Sequence, residues 1–391
     1  MDSVQLDQSA GIVSVGPGAR WQKVYDALDP YQLSFQGGRN GKVGVAGFLL
    51  GGGIGFFSPE RGWACDYVVN FEVVLSSGVI VNANSKSHPD LFAALKGGQN
   101  NFGVVTKLQL RTFPQPPLWG GVVIYSNSTD EELLDAVVDF KNPARFDPYA
   151  MFTFGFVYDA TLRAFTANIA MYHARPSIVN GSALETFAKI QPQIFNSIRI
   201  DSPGSFAGEK ISPVVKQYYM HWATNTIVVS RTALSRIQTL FRETSITLAD
   251  SYLSANLTVA ISIQSVPATA PSSNPNILGF AAGSEAEKRL LNIGLAIQYE
   301  DPAATAGLDI ATKRLAAQID QIAIEEGVYD AHLYMNYAGS WQNVLGGYGQ
   351  ESLVVLREVS LSTSGPMLGS EINALMQSTL GWSSRPNGER A

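Results

Sequence analysis

The sequence predicts an α+β protein of more than one domain, and three observations carry that prediction. Its 391 residues exceed the usual length of a single domain. A glycine-dense segment over residues 37–55 sits among short strand and helix patterns. Beyond the Pro114-Gln115-Pro116-Pro117 step the pattern changes to long alternating strands between capped helices.

Taken in chain order, residues 11–16 (GIVSVG) read as a strand closed by the Gly16-Pro17-Gly18 turn. The ARWQKVYDAL that follows places Trp21, Val24, Tyr25 and Leu28 on one helical face. GGRNGKVGVAGFLLGGGIG, residues 37–55, carries too much glycine for a regular helix and suits close backbone approach. Residues 67–81 read as a β-hairpin turning at Ser76-Ser77-Gly78. SHPDLFAAL reads as a short helix with Ser87 as its N-cap and His88 supporting its start, and FGVVTKLQLRTF as a strand. After the proline step, Ser128-x-x-Glu131 and Ser182-x-x-Glu185 read as capping boxes that open helices over 129–140 and 183–192. AMFTFGFV and FTANIAMY alternate as strands between them. Further helices are expected at 233–249 and 303–326, strands at 256–265 and 291–299, and a loop at VPATAPSSNPN. The middle of the chain is therefore expected to be a mostly antiparallel sheet backed by helices.

Composition narrows the function. With 27 Lys+Arg against 33 Asp+Glu the net charge is −6, and there is no basic cluster to displace counterions, so nucleic acid is not expected as a partner. No apolar run reaches the roughly 20 residues a membrane span needs. A lone cysteine, Cys65, excludes an intramolecular disulfide and a multi-Cys zinc site. The four histidines lack ligand spacing, so no metal is expected. MDSVQLDQSAGIVSVG has neither the basic nor the apolar region of a signal peptide. N-x-S/T sequons at Asn127, Asn180 and Asn256 leave secretion of a longer form open, and localisation stays unassigned.

A glycine-rich loop lets backbone amides approach an anionic ligand because no Cβ intervenes. Gly51-Gly52-Gly53-Ile54-Gly55 fits neither a phosphate-binding loop with Lys-Ser/Thr nor a strand-linked dinucleotide fingerprint, and by pattern alone such a loop is more often a tight turn than a ligand site. The combination says more. GPGARW, GGRNGKVGVAGFLLGGGIGFFSPERGWACDYVVNFEVVL and PDLFAALKGGQNNFGVVTKLQL follow one another, and YMNYAGSW with YGQESLVVLREVS comes later. Together they resemble the FAD-binding domain of the vanillyl-alcohol oxidase and p-cresol methylhydroxylase (PCMH) type, specifically the berberine-bridge-enzyme-like oxidoreductases. The resemblance covers residues 11–115 densely and 330–360 clearly.

The resemblance implies a discontinuous PCMH-type FAD-binding domain built from residues 1–115 and 335–391, enclosing an α+β substrate domain at 116–334. It matches Val43, Gly44, Gly47, Gly51, Gly53, Ile54 and Gly55 to the loop along the flavin diphosphate and ribityl chain. Gly103 and Val105 match the strand start beside the adenine half, and Asn336 the cofactor side of the C-terminal segment. Asp66 and Asn70 match polar residues after the glycine loop, where either cofactor contact or turn-fixing hydrogen bonds would explain them. Phe92, Leu95 and Phe102 are expected in the core. Bicovalent members carry a flavin-linked cysteine where this chain has Asn40, so any FAD is expected to be held non-covalently; Cys65 reads as a buried small residue.

The family's first flavin subdomain would precede residue 11, and its usual closing segment is replaced here by LSTSGPMLGSEINALMQSTLGWSSRPNGERA. The sequence is thus expected to be a truncated or mis-spliced version of a longer flavoprotein that binds FAD weakly.

Oxidoreductases of this class remove a proton from substrate while hydride passes to flavin N5, so a base near the ring is required. Tyr334 is the first candidate, matching the first Tyr of a Tyr-x-Asn-Tyr pattern. An extended segment would put Tyr334 and Asn336 on one face with Tyr337 opposite; a pair of structural aromatics at a junction is the alternative. His332 would share the face of Tyr334, His173 ends a strand, and His221 in YYMHW would line an apolar pocket, each also explained as a structural residue. The expected function is FAD-linked oxidation of a small organic molecule, a secondary metabolite, with molecular oxygen as acceptor. A carbohydrate oxidase and a flavin-poor, non-redox binding scaffold on the same fold are the alternatives.

Overall fold

The computed structural model describes residues 1–178, 180–209, 218–267, 276–280 and 289–363. Two antiparallel sheets organise it. The first takes β1 (Val4–Asp7), β2 (Ile12–Val15), β4 (Val68–Val74), β5 (Ile80–Ala83) and β6 (Val104–Arg111) in the order β1-β2-β6-β4-β5. Around it lie α1 (Trp21–Leu28), α2 (Val45–Leu50), α3 (Ser58–Arg61) and α4 (Pro89–Ala94), while β3 (Leu33–Ser34) pairs with β7 (Phe113–Pro114). Helix α1 buries Trp21, Val24, Tyr25 and Leu28, the face its spacing predicts, at about 1.5–3 kcal/mol for each large side chain. Phe92, Leu95 and Phe102 are buried in the same core.

The second sheet takes β8 (Leu118–Ser126), β9 (Ala150–Asp159), β10 (Ala164–His173), β11 (Gln193–Asn196), β12 (Arg199–Asp201), β13 (Tyr219–Val228), β14 (Thr258–Ser265), β15 (Leu290–Tyr299) and β16 (Tyr329–Asp330). Their order among the described residues is β11-β8-β10-β9-β14-β15-β13-β16, with β12 also on β8 and every pairing antiparallel. One face packs its Phe, Ile and Leu side chains against α5 (Asp130–Phe140), α6 (Ala183–Lys189), α8 (Arg231–Ser251) and α9 (Thr305–Glu325). The opposite face turns toward the first core. Short α7 (Pro203–Ala207) reaches across to that core through Phe206, and Asp29 at the end of α1 accepts from Ser202 Oγ and Gly204 N–H.

The chain then returns. Tyr334, Val344, Tyr348 and two residues of α10 (Gln350–Thr363), Leu356 and Val359, are buried in the first core. Ser76 donates to the Thr363 carbonyl at 2.8 Å, fixing the end of that helix to the first sheet's hairpin.

Several local expectations are corrected. The glycine segment does hold a helix, α2, because VAGFLL contains one glycine and buries Val45, Leu49 and Leu50, with Ala46 and the two leucines favouring the helix. Ser87 is not the cap of α4: His88 occupies that position in left-handed backbone (φ 50°), and Ser87 meets its ring Nδ1 at 3.1 Å. Ahead of α5 a 3₁₀ turn intervenes, capped by Ser126 rather than Ser128. Ser182 does cap α6, accepting from Glu185 N–H. Most of the VPATAPSSNPN loop, and the chain beyond residue 363, lie outside the described residues.

Candidate active site

Three parts of the chain converge on one place. The first is the cradle over residues 37–55. Here the glycines divide into two kinds. A Cβ on Gly44 or Gly47 would meet nothing within 4 Å. Val43 beside them is 40% exposed despite being apolar. By contrast, a Cβ on Gly51 would fall 2.2 Å from Asn336 Oδ1, on Gly53 2.5 Å from the Phe48 ring, and on Gly55 2.2 Å from the Gly37 carbonyl. Val43, Gly44 and Gly47 thus form an open ledge, while Gly51, Gly53 and Gly55 let the chain pass close to itself. Farther off, Gly103 (φ 142°) sits against the Val74 carbonyl and Val105 is buried in the core, leaving Val104 as the exposed residue of that strand start.

The second part is the segment from Tyr334. Tyr334 is 3% exposed, and its Oη accepts from the Ile54 N–H (3.1 Å) and from Asn336 Nδ2 (3.1 Å). Burial pushes its phenol well above the ordinary range, while those two donors and Arg39 pull the other way. The segment is not extended: Met335–Tyr337 is a 3₁₀ turn, yet Tyr334 and Asn336 still meet. Asn336 donates also to the Phe48 carbonyl (3.0 Å) and accepts from Gln99 Nε2 (3.3 Å), so its amide clamps the cradle to Tyr334. Tyr337 packs edge-on against Tyr334 and lies against Trp222 of β13.

The third part was not anticipated from the sequence. On the second sheet's inner face, Thr153 of β9 pairs in register with Gln264 of β14, Gln264 with Asn292 of β15, and Asn292 with Thr226 of β13. Paired residues share a face, so four strands lay one polar row across the sheet. Gln264 Nε2 donates to Asn292 Oδ1 (3.3 Å), and Asn292 Nδ2 to Thr224 Oγ1 (2.5 Å). Arg39, from the cradle, ends on this row, donating to Thr153 Oγ1 and to Gln264 Oε1. Gln342 closes the other end against the Thr224 backbone, at 2.6 and 2.9 Å.

The remaining candidates have structural work. Asp66 accepts from Asn276 Nδ2 at 2.8 Å, and burial raises its carboxyl. Asn70 bonds Asn82 and Asn84 across the hairpin. Asn40 accepts from the Lys42 N–H in a local turn, and Cys65 is fully buried. His221 does not line a pocket with Trp222: it bonds the Thr305 carbonyl and Tyr299 Oη on the helical side. His173 pairs with Asp147. His332 lies among Trp63, Phe280 and Tyr348, and burial lowers its pKa to about 3.

Known proteins resemble this chain in sequence and in fold. Residues 1–84 match the FAD binding domain family model. The chain is 30% identical over 363 residues to the FAD-dependent monooxygenase sdcF of Emericella nidulans, covering 92% of this chain and 75% of that protein. It is 31% identical over 373 residues to tpcD, a FAD-dependent monooxygenase of Cochliobolus heterostrophus (92% and 71%). It spans 65% of the length of the FAD-dependent monooxygenase drtC of Aspergillus calidoustus, at 30% identity. Among solved structures, 6-hydroxy-D-nicotine oxidase of Arthrobacter nicotinovorans shares the fold at TM-score 0.75 and 17% identity, covering 93% of this chain and 78% of that one. The chain belongs to the same family as these FAD-dependent proteins, and it shares its fold with a berberine-bridge-enzyme-like protein of Physcomitrella patens (TM-score 0.65, 16% identity, covering 93% of this chain and 77% of that one).

Proposed function

We propose that this protein oxidises a small, neutral, polar organic molecule with non-covalently held FAD, the substrate lying between the ledge at residues 43–47 and the polar row of the large sheet. The observation that carries the reading is the row itself. Thr153, Gln264, Asn292 and Thr226 lay uncharged amides and hydroxyls on the face of the sheet that meets the cradle and Tyr334. Gln264, Asn292 and Thr226 are fully buried, so a ligand would meet the row at its half-buried Thr153 end, where Arg39 also stands. Such a set matches hydroxyl and carbonyl groups on an uncharged ligand.

The residues present fit FAD, because the empty Cβ positions of Gly44 and Gly47 leave the ledge open to close approach. Val43, Gly44 and Gly47 would hold it, with Asn336 and Gln99 behind them fixing the cradle. When bound, FAD supplies the two-electron acceptor, for which oxygen is the proposed terminal oxidant. Asn40 and Cys65 offer no covalent attachment at the cradle. Tyr334 holds the proton-transfer position. Only its phenolate can take the proton of a substrate hydroxyl, becoming the phenol as the electron pair leaves carbon. The two N–H donors on Oη favour that phenolate while burial opposes it, so Tyr334 would have to give up its own proton to solvent before each such step.

The test is FAD titration of the protein by flavin fluorescence, followed by oxygen uptake with neutral phenols, secondary alcohols and oligosaccharides. Saturable FAD binding, with colour released on acid precipitation and turnover of a neutral substrate, is expected. Absence of FAD binding would leave the non-redox scaffold as the better reading.

A further inference from the structure

One buried cation takes no part in that site. Lys141, the residue that closes α5, is 7% exposed and lines a cavity of ≈ 40 Å³ at the seam between the two cores. Ile54 and Ser58 come to this cavity from the cradle side, and Phe140, Phe146, Met151, Phe152 and Val266 make most of its wall. The Nζ donates to Ser265 Oγ at 3.4 Å, and Asn142 also reaches the cavity.

Among the described residues no acidic side chain lines it. The charged groups on neighbouring elements are paired elsewhere: Glu60 with Arg61 on α3, Asp139 with Arg145, and Asp147 with His173. An ammonium in an apolar wall without a counter-charge is costly. Burial accordingly lowers the Lys141 pKa to about 7, and no neighbouring charge contributes. A ligand that brings the missing negative charge would be held by the ammonium, by Ser265 and by Asn142.

We infer that the Lys141 cavity is a binding site for the carboxylate end of a small apolar acid, distinct from the open ledge and the polar row but bordering the loop at Ile54 that holds Tyr334. The size agrees, since about 40 Å³ corresponds to roughly three water molecules, which is the bulk of a carboxylate with one or two carbons. The apolar wall selects against hydrated inorganic anions, and the cavity continues to the surface past Pro143 and Phe146, leaving room for a longer acid to extend.

Propionate is the probe, with propionamide as its uncharged isostere, each titrated into the full chain without FAD and followed by NMR line broadening. Because flavin is left out, the outcome is independent of the redox reading above. Propionate should bind at pH 6 and weaken about thirtyfold by pH 8.5 as the amine loses its proton, whereas propionamide should bind at least about tenfold more weakly at pH 6. Lys141→Met should melt no lower than the parent and lose propionate binding by at least about tenfold; Ser265→Ala should weaken it only a few-fold. Affinity that peaks at propionate would identify a free short acid as the natural ligand, and affinity that rises through hexanoate the acid end of a longer one. Equal binding of acid and amide, a flat pH profile, or undiminished binding by a folded Lys141→Met protein would overturn the inference.

Discussion

Replacing Tyr334 by Phe separates catalysis from architecture at the centre of the site. The substitution keeps the ring and its packing against Trp63 and Tyr337 but deletes Oη. Of the two donors aimed at that oxygen, Asn336 retains the Phe48 carbonyl, whereas the Ile54 N–H, in a buried loop, is left without its acceptor. An orphaned buried donor costs about 1–3 kcal/mol. Spread over an unfolding entropy of about 2 cal/mol/K per residue for 391 residues, that is a fall in Tm of roughly 1–4 °C. If Tyr334 accepts the substrate proton, turnover should drop about 10²- to 10⁴-fold while flavin content and FAD affinity stay nearly unchanged. Calorimetry, flavin-to-protein absorbance ratio and oxygen uptake read the three quantities on one preparation. Full turnover in a Tyr334→Phe protein that holds FAD normally would show that the tyrosine is only a structural aromatic.

Other changes test the cradle, the sheet and the buried histidine. Gly47→Ala should raise stability by about 0.5–1 kcal/mol, as an alanine does in an exposed helix position, whereas Gly47→Leu should fold as well but raise the FAD dissociation constant at least about tenfold by covering the ledge. Arg39→Met should cost about 1–3 kcal/mol in denaturant unfolding by stripping Thr153 and Gln264 of their donor, and should raise KM more than it lowers kcat. His332, with its pKa lowered to about 3 from 6.5, binds fewer protons folded than unfolded below pH 6.5, so stability present above that pH is lost as pH falls. Between pH 6.5 and 5 the loss is about 2 kcal/mol, and His332→Phe should flatten this part of the pH–stability profile.

What the sequence made legible was local or carried by a motif. The buried face of α1 follows from spacing alone, and the meeting of Tyr334 with the Ile54 loop, 280 residues away, follows from the resemblance, which assigns two separate motifs to one discontinuous domain. Helix α2 was obscured because glycine on either side of a short apolar run hides a single turn and a half of helix whose stability comes from burial of Val45, Leu49 and Leu50. The polar row could not be read because its members lie on four strands, and isolated Thr, Gln and Asn residues look like ordinary strand interruptions until register aligns them. Lys141 was hidden for a related reason: a lysine at a helix end is normally solvated, and only the tertiary seam removes it from water.

Arg39 belongs by sequence to the segment proposed to cradle the cofactor and by contact to the floor on which substrate is proposed to rest. The two sites therefore share a mechanical part. A ligand that shifts residues 37–44 alters how Arg39 meets Thr153 and Gln264, and a ligand that competes for those two side chains alters the cradle. Thermodynamic reciprocity then requires any gain in substrate affinity caused by the cofactor to return as an equal gain in cofactor affinity caused by the substrate. Selection acting on what this enzyme recognises would accordingly also retune how firmly it keeps its redox group, so the two properties would not evolve independently.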